Sequence, residues 1–201
     1  MNFELIVGIT TALITITGGF FPIVAYGQLI YTPVPRQSPV QSQTSCSTGW
    51  YITGYFTPKE SDYSGSKQTV FVHGIGKKSF YSSFLNDVRT EGAGLTRFGW
   101  YLANYGSGWL KIPFPQDAQG NQLKAGESVA TDPNVIPTGT SGITIPTLPS
   151  PWNNKIFIAN DLGSDFKGKK LSIYLGEGKL AEHGILQISG SNNKLCFQNM
   201  H

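Results

Sequence analysis

The sequence has few charged residues. Only 13% of its 201 residues are Asp, Glu, Lys or Arg, about half of the usual share. The formal net charge is +3 and no run of basic residues occurs, so the sequence does not indicate a nucleic-acid-binding protein. Long stretches of Leu, Glu, Lys and Ala are also missing, whereas glycine and β-branched residues are frequent. This composition favours one mainly β domain, because the length suffices for one sizeable core and not for two.

Short motifs that mark several classes of enzyme are missing as well. The sequence contains no Gly-x-Ser-x-Gly nucleophile motif, no phosphate-binding P-loop and no dinucleotide-binding fingerprint. Its three histidines, His73, His183 and His201, are far apart and lack the spacing of metal ligands. We place His183 in a loop before the last strand. We expect neither a metal nor an organic cofactor.

The N-terminal region has no charged residue between Glu4 and Arg36 and is strongly apolar over its first half. Small residues follow at Ala25-Tyr-Gly27, with the spacing of a signal peptidase site. No Lys or Arg precedes the apolar run, so an uncleaved anchor of about 20 residues is the alternative. A core helix of a cytoplasmic protein is a third. We predict a signal peptide or N-terminal anchor over residues 1–27, and a protein that is secreted or associated with the cell envelope.

Pro, Gln and Ser dominate residues 28–45, which is typical of a disordered tether. The folded domain is predicted over residues 46–198. Cys46 and Cys196 lie near its two ends, and in an exported chain such a pair is more often a disulfide than a metal or catalytic site. Two unpaired buried thiols are the alternative. We expect a monomer that contacts a membrane only through an uncleaved N-terminal segment.

Short runs of aromatic and β-branched residues, separated by turns, predict a series of strands. One helix is predicted over Phe80–Val88, where apolar residues recur at helical spacing. The predicted strands cover residues 50–56, 69–73, 128–130, 142–146, 155–159, 170–175 and 184–188. Such a pattern indicates a β-sandwich or a small barrel, and periodicity does not choose between them.

Four segments together resemble one family. Residues 53–58, Thr-Gly-Tyr-Phe-Thr-Pro, are similar to the opening strand of the membrane-bound lytic murein transglycosylase A family. Residues 91–94, Glu-Gly-Ala-Gly, followed by Tyr105-Gly106, resemble its glycan-facing segment. Residues 128–140 and 157–178 contain Asp-x-x-x-Ile-Pro-x-Gly-Thr and then Asp-x-Gly with Lys-Gly. These last two resemble the hallmark of the 3D (three-aspartate) domain, which that family shares.

The resemblance implies a six-stranded double-psi β-barrel, as in RlpA, barwin and expansin proteins, with one or two short helices. It also implies a groove that holds peptidoglycan or another cell-wall polysaccharide. Lytic transglycosylases protonate the bridging glycosidic oxygen with one carboxylic acid, and the sugar's 6-hydroxyl then closes onto C1. Because water is not the nucleophile, the usual pair of carboxylates is not required. The acid needs a raised pKa, which burial can supply.

Two departures from the family stand out. Ser172 occupies the position of the family's catalytic aspartate, and a serine hydroxyl cannot protonate a leaving oxygen near neutral pH. Asp161 is therefore the favoured acid, with Asp132 as its hydrogen-bonded neighbour and Asp165 as a further candidate. Only residues 110–127 stand where the family has a large inserted domain, so the chain is predicted to be nearer to a single barrel.

The predicted groove residues that contact substrate are Tyr55, Thr57, Glu60, Glu91, Lys167 and Ser172. A non-catalytic, expansin-like binding module is the second hypothesis, in which Asp62 joins the polar contacts and aromatic residues such as Trp100 and Trp109 stack on sugars. A barrel used only for adhesion or as a surface coat is a third. Each piece also has a simpler interpretation. Trp100, Tyr101, Tyr105 and Trp109 would then be core residues, Asp132 would close an Asx turn, and the glycines would serve tight turns.

Overall fold

The computed structural model describes residues 43–106, 108–163 and 167–199. Within them the chain forms ten strands, two α-helices and two short 3₁₀ turns, at Glu60–Asp62 and Trp152–Asn154. In chain order the strands and helices are β1 (Gln43–Thr57), β2 (Lys67–His73), β3 (Gly76–Tyr81), α1 (Ser82–Glu91), β4 (Ala93–Leu95), β5 (Tyr101–Asn104), β6 (Trp109–Ile112), β7 (Ser128–Thr131), β8 (Ile158–Leu162), β9 (Lys170–Glu177), α2 (Gly178–Ile188) and β10 (Gly190–Asn199).

The first sheet has the strand order β10-β1-β9-β7-β8. Its long strand β1 runs antiparallel to β10 along one half and parallel to β9 along the other. Trp50, Ile52 and Ile173 are buried beneath it with the last residue of α2, Ile188. A Cβ atom added at Gly54 would lie 2.7 Å from Leu175 Cδ1, so the glycine leaves room for that side chain to pack against β1.

The second sheet has the strand order β3-β2-β6-β5-β4 and comes entirely from residues 67–112. Helix α1 covers it, and Phe84, Leu85 and Val88 of that helix are fully buried against the sheet. These three residues recur at helical spacing, which is the pattern that predicted the helix. The second sheet therefore has an apolar core of its own.

Hydrogen bonds and an ion pair join the two sheets. The Leu95 N–H donates a hydrogen bond to the Pro58 carbonyl at 2.8 Å. This bond joins the residue after β1 to the last residue of β4. The Tyr101 hydroxyl donates to Glu177 Oε1 at 2.6 Å, from β5 to β9. Lys59 lies 3.5 Å from the same carboxylate. These contacts fix the position of the second sheet beside the first.

The mainly β architecture with two helices is as expected, but the strand number differs from the prediction. We expected six strands in one barrel, and the described residues form ten strands in two sheets. The difference arises because residues 67–112, which we did not expect to form a separate wall, contain enough apolar residues to build the second sheet. The double-psi arrangement of the first sheet stays a prediction.

Two predicted strands are wrong. Residues 184–188 belong to α2, which also contains His183, and not to a strand. The helix buries Gly178, Ala181 and Ile188, and this spacing outweighs the short alternation that suggested a strand. Residues 142–146 form only two isolated bridges, at Ile143 and Thr144. In addition, we did not predict β10 as a strand.

The predicted disulfide is confirmed. Cys46 and Cys196 are bonded, and they face each other in the register of β1 and β10 with their Cα atoms 4.1 Å apart. Strand β1 begins at Gln43, inside the segment that we predicted as a tether. The rest of that tether, the predicted signal peptide or anchor, and His201 lie outside the described residues. In the part of the chain that is described, no helix is both long and apolar enough to cross a membrane.

Candidate active site

A cleft of about 430 Å³ lies where the first sheet meets the end of α1 and the start of β4. Residues of β1, β8 and β9 line one side, and Glu91, Gly92 and Ala93 line another. The loop after β6 contributes Pro115, Gln116 and Leu123. The cleft thus lies between the two sheets and is lined from several distant parts of the chain.

Asp161 of β8 is one of two carboxyl groups that line the cleft. Its Oδ2 atom accepts a hydrogen bond from the Tyr55 hydroxyl at 2.7 Å, and its Oδ1 atom accepts one from the Leu162 N–H at 2.9 Å. The backbone N–H of Ala118 donates to it as well. Burial raises the pKa of Asp161 above its ordinary value, although these donors oppose the increase.

The loop after β6 is fixed beside Asp161 by a second carboxylate. Asp117 accepts hydrogen bonds from the backbone N–H groups of Gln119 and Asn121 at 2.9 and 2.8 Å. The Asn160 side chain, adjacent to Asp161 on β8, donates to Asp117 at 3.1 Å. The negative charge of Asp117 adds to the increase in the pKa of Asp161. This loop therefore closes one wall of the cleft and also influences its acid.

Glu91, the last residue of α1, is the other carboxyl group in the cleft. Its Oε2 atom accepts a hydrogen bond from the Phe56 N–H at 3.2 Å. The pKa of Glu91 is raised to about 7, mainly by burial; the Phe56 hydrogen bond lowers it, and the negative charges of Asp87 and Glu182 contribute to the increase. A carboxyl group with this pKa is about half protonated at neutral pH.

Aromatic rings and a hydroxyl pair form the floor of the cleft near β1 and β9. The Tyr55 and Tyr174 rings lie 5.3 Å apart, and the Tyr174 hydroxyl and Thr57 Oγ1 are hydrogen-bonded at 2.8 Å. Tyr105 also lines the cleft and is 49% exposed. Tyr174 and Thr57 are themselves buried, so the exposed ring of Tyr105 is the aromatic face that suits a sugar ring.

Ser172 of β9 lines the same cleft, and its residue is only 1% exposed. It pairs with Thr53 of β1 on one side and with Ala130 of β7 on the other. Within the described part of the chain, its buried Oγ atom has no hydrogen-bond partner. The position therefore contributes almost no exposed surface to the cleft, and it supplies no acidic group.

Comparison with known proteins identifies the region that contains β7, β8 and β9. Residues 127–192 match the 3D domain family. This part of the chain is a 3D domain. The expected resemblance to that family is confirmed, and the domain supplies Asp161, Ser172 and Tyr174 of the cleft.

The fold of the chain is also similar to solved structures. Escherichia coli MltA with bound chitohexaose has a TM-score of 0.57 and 16% identity, over 76% of this chain and 72% of that chain. The membrane-bound lytic murein transglycosylase of Agrobacterium tumefaciens has a TM-score of 0.51 and 13% identity, over 74% of each chain. At these identities the likeness shows a shared fold. No curated protein sequence matches this chain.

Five of the residues predicted for the site come together in the cleft. They are Tyr55, Thr57, Glu91, Asp161 and Ser172. Sequence analysis did not predict Arg89, Tyr105 or Lys170 as site residues, although all three line the cleft. Arg89 and Lys170 reach the cleft through contacts between distant segments, whereas the resemblance of Tyr105-Gly106 to the family's glycan-facing segment was a signal for Tyr105.

Asp132 is not the hydrogen-bonded neighbour of Asp161 that we expected. Its carboxylate accepts hydrogen bonds from the Gly168 N–H at 2.8 Å and from the Asn134 N–H at 3.0 Å. These donors lower the pKa of Asp132. The bond to Asn134 is the Asx turn of the simpler interpretation, and Gly168 adopts φ +69°, which favours glycine. Tyr55 takes the place beside Asp161 instead.

Other predicted contacts lie elsewhere. The Glu60 side chain is 0% exposed and is paired with Arg97, so it cannot contact a sugar. Its carboxylate also accepts a hydrogen bond from the Arg97 N–H and thereby fixes the loop after β4. Lys167 is exposed and is not among the described residues that line the cleft. Asp62 accepts a hydrogen bond from the Lys179 N–H outside the cleft. Asp165 lies outside the described residues.

Two of the four aromatic residues that were predicted either to contact sugar or to lie in the core pack in or against the core. Trp109 is 7% exposed within the second core, and Trp100 packs edge-on against Phe80. Tyr101 joins the two sheets, and only Tyr105 reaches the cleft. Across the described ranges, no group of three or more His, Cys, Asp or Glu side chains is arranged to hold a metal ion.

Proposed function

We propose that this protein binds a cell-wall glycan in the cleft and cleaves its glycosidic bonds as a lytic transglycosylase. The 3D domain and the MltA-like fold support this proposal, and one solved MltA structure contains chitohexaose. Peptidoglycan or a related polysaccharide is the proposed substrate. The first sheet is proposed to be the counterpart of the double-psi barrel. The disulfide supports an exported protein, since such bonds persist in oxidising compartments.

Asp161 carries the proposal. It lies in the cleft, its pKa is raised by burial, and three donors fix its position. Cleavage by a lytic route needs a carboxylic acid beside the glycosidic oxygen and no water as nucleophile. Aromatic faces at Tyr55 and Tyr105 are proposed to hold the sugar rings. The carboxyl groups of the cleft are thus proposed to replace the aspartate that the family has at the position of Ser172.

Digestion of purified peptidoglycan tests the proposal. The full chain is incubated with insoluble peptidoglycan, and soluble products are identified by mass spectrometry as muropeptides with 1,6-anhydro ends. Asp161→Asn is expected to reduce their release about 100-fold or more, since loss of acid–base catalysis typically costs this much. Asp62→Asn, an exposed acid outside the cleft, is the matched control and is expected to release products at the wild-type rate.

A non-catalytic glycan-binding module is the second candidate function, and Ser172 favours it. This residue supplies no acid at the position where the family has one. In that case the wild-type protein would sediment with insoluble peptidoglycan but release no anhydro-muropeptides. Tyr105→Ala would weaken the sedimentation, because it removes an exposed ring from the cleft. That combination of results would reject cleavage and retain binding.

A further inference from the structure

We propose that Glu91 is the residue that protonates the glycosidic oxygen, with Asp161 acting beside it as the ionised partner. This inference rests on the proposed function and assigns the proton donor within the same cleft. Sequence resemblance gives Glu91 only a role in contacting sugar. Its place in the fold gives it a different chemical capacity, because it contributes a second carboxyl group to a cleft that already holds Asp161.

One strand positions both carboxyl groups. The side chain of Tyr55 donates its hydroxyl hydrogen bond to Asp161 at 2.7 Å. The next residue, Phe56, donates its backbone N–H to Glu91 at 3.2 Å. Consecutive residues of β1 therefore hold a carboxyl group from β8 and another from the end of α1. The Tyr55 side chain and the Phe56 backbone thus tie both groups to the same part of β1.

The hydrogen bonds distinguish the two groups. Asp161 accepts from the Tyr55 hydroxyl and from the N–H groups of Leu162 and Ala118. Donors of this kind stabilise the ionised carboxylate. Glu91 accepts the longer bond from Phe56, and burial favours its neutral form. Two carboxyl groups in one cleft with environments that separate their protonation states are the usual arrangement of an acid and its ionised partner.

The charges around Glu91 also raise its pKa. Asp87 on its own helix and Glu182 on α2 are both negative and disfavour a third charge, so that together with burial they give a pKa of about 7. The other titratable groups that line the cleft are Tyr55, Arg89, Tyr105, Asp161, Lys170 and Tyr174. The Arg89 guanidinium is directed elsewhere, since it lies 4.9 Å from the centre of the Trp109 ring and donates to Asn86.

The proposed step transfers two protons and consumes no water. Glu91 gives its proton to the bridging oxygen as the bond from that oxygen to C1 breaks, and the electron pair stays with the leaving sugar. The oxygen of the 6-hydroxyl forms a bond to C1, and its proton moves to the Asp161 carboxylate. The products are a 1,6-anhydro end and a free hydroxyl on the leaving sugar. Exchange with solvent then returns Asp161 to its ionised form and Glu91 to its protonated form.

Glu91→Gln tests the assignment, because the amide oxygen of glutamine can still accept the Phe56 N–H while its nitrogen cannot serve as the acid. We expect release of anhydro-muropeptides to fall about 100-fold or more. In the wild type, the rate is expected to decline as the pH rises above about 7, because Glu91 loses its proton there. Glu91→Asp keeps a carboxyl group, and we expect partial activity with the same alkaline decline. Glu127→Gln, an exposed acid outside this cleft, is the matched control with wild-type release.

The possible results separate this inference from the proposed function. Wild-type release that persists in Glu91→Gln would overturn the role of Glu91 and leave the proposed function standing. Absence of release from the wild type itself would overturn both. Loss of release in Glu91→Gln with partial activity in Glu91→Asp would support the assignment. A wild-type rate that stays constant from pH 6 to 9 would contradict it.

Discussion

Asp132 and Asp161 belong to the same sequence signature, but the structure places them in opposite environments. Asp132, just after β7, accepts backbone hydrogen bonds from Asn134 and Gly168, which hold the chain before β9. Those donors lower its pKa. Asp161 lies in the cleft, where burial raises its pKa although Tyr55 opposes the increase. One aspartate therefore stabilises a turn, whereas the other is available for chemistry.

The contrast teaches that residue identity within a signature does not determine a residue's role. The number of donors and the degree of burial determine which protonation state is stable. Ser172, at the position of the third aspartate of the signature, illustrates the same point. It lies in the cleft at the position of the family's acid, yet β8 and the end of α1 supply carboxyl groups from Asp161 and Glu91.

Substitution of each aspartate in turn tests most strongly whether Asp132 and Asp161 have different roles. Asp132→Ala is expected to lower the free energy of unfolding while the folded fraction still releases anhydro-muropeptides. Asp161→Asn is expected to do the reverse, with release reduced about 100-fold or more and little change in stability. Urea unfolding measured by circular dichroism gives the stability, and mass spectrometry gives the release for each variant.

The pH dependence of the free energy of unfolding tests the role of Asp132 independently. Because the folded protein lowers the pKa of this group, its stabilisation is present above the unfolded pKa and is lost as the pH falls through the folded pKa. The stability difference between wild type and Asp132→Ala should therefore shrink in acid. A difference that stays constant down to pH 2, or a loss of release in the folded Asp132→Ala protein, would remove the distinction between the two aspartates.

A smaller effect is expected from Tyr55→Phe. This change removes a donor to the Asp161 carboxylate, so the pKa of Asp161 should rise. We expect the rate to fall at low pH as Asp161 becomes protonated, and in this variant that fall should move to higher pH. The lost hydrogen bond to a charged group should lower the free energy of unfolding by about 1.5 kcal/mol. Rates measured from pH 4 to 7 give the pH dependence, and urea unfolding gives the change in the free energy of unfolding.

Tyr101→Phe is the matched control for that experiment. It also removes a tyrosine hydroxyl that donates to a carboxylate, here Glu177, but outside the cleft. We expect it to affect stability without moving the pH dependence of the rate. If both variants shift the pH dependence equally, the effect of Tyr55 is general and its bond to Asp161 has no special role.

Local patterns in the sequence were sufficient to predict much of the fold. Aromatic and β-branched runs predicted the central part of β1 and the strands β2, β7 and β9, and apolar spacing predicted α1. The same rule failed at residues 184–188, because a short apolar run is compatible with both a strand and a helix. Strand β10 was missed since its Ser-Asn-Asn segment is polar and its pairing with β1 is a long-range contact.

The site was less predictable than the fold for a related physical reason. The family resemblance brought Asp161, Tyr55 and Glu91 to attention, but their partners lie far away in sequence. Tyr55 and Asp161 are separated by 106 positions. The pKa of Glu91 depends on burial between two sheets, and the second of these sheets was not expected. Environment of this kind follows from tertiary packing and not from local sequence.

Titration of the carboxyl groups by carbon-13 NMR is the most direct test of the account, because it measures the protonation on which both roles depend. The prediction is a pKa of about 7 for Glu91, a value above the ordinary one for Asp161, and a value below it for Asp132. Glutamate and aspartate ordinarily titrate near pH 4. If Glu91 and Asp161 both titrate at ordinary values, or if Asp132 has the highest pKa of the three, the assignment of the acid to this cleft is contradicted.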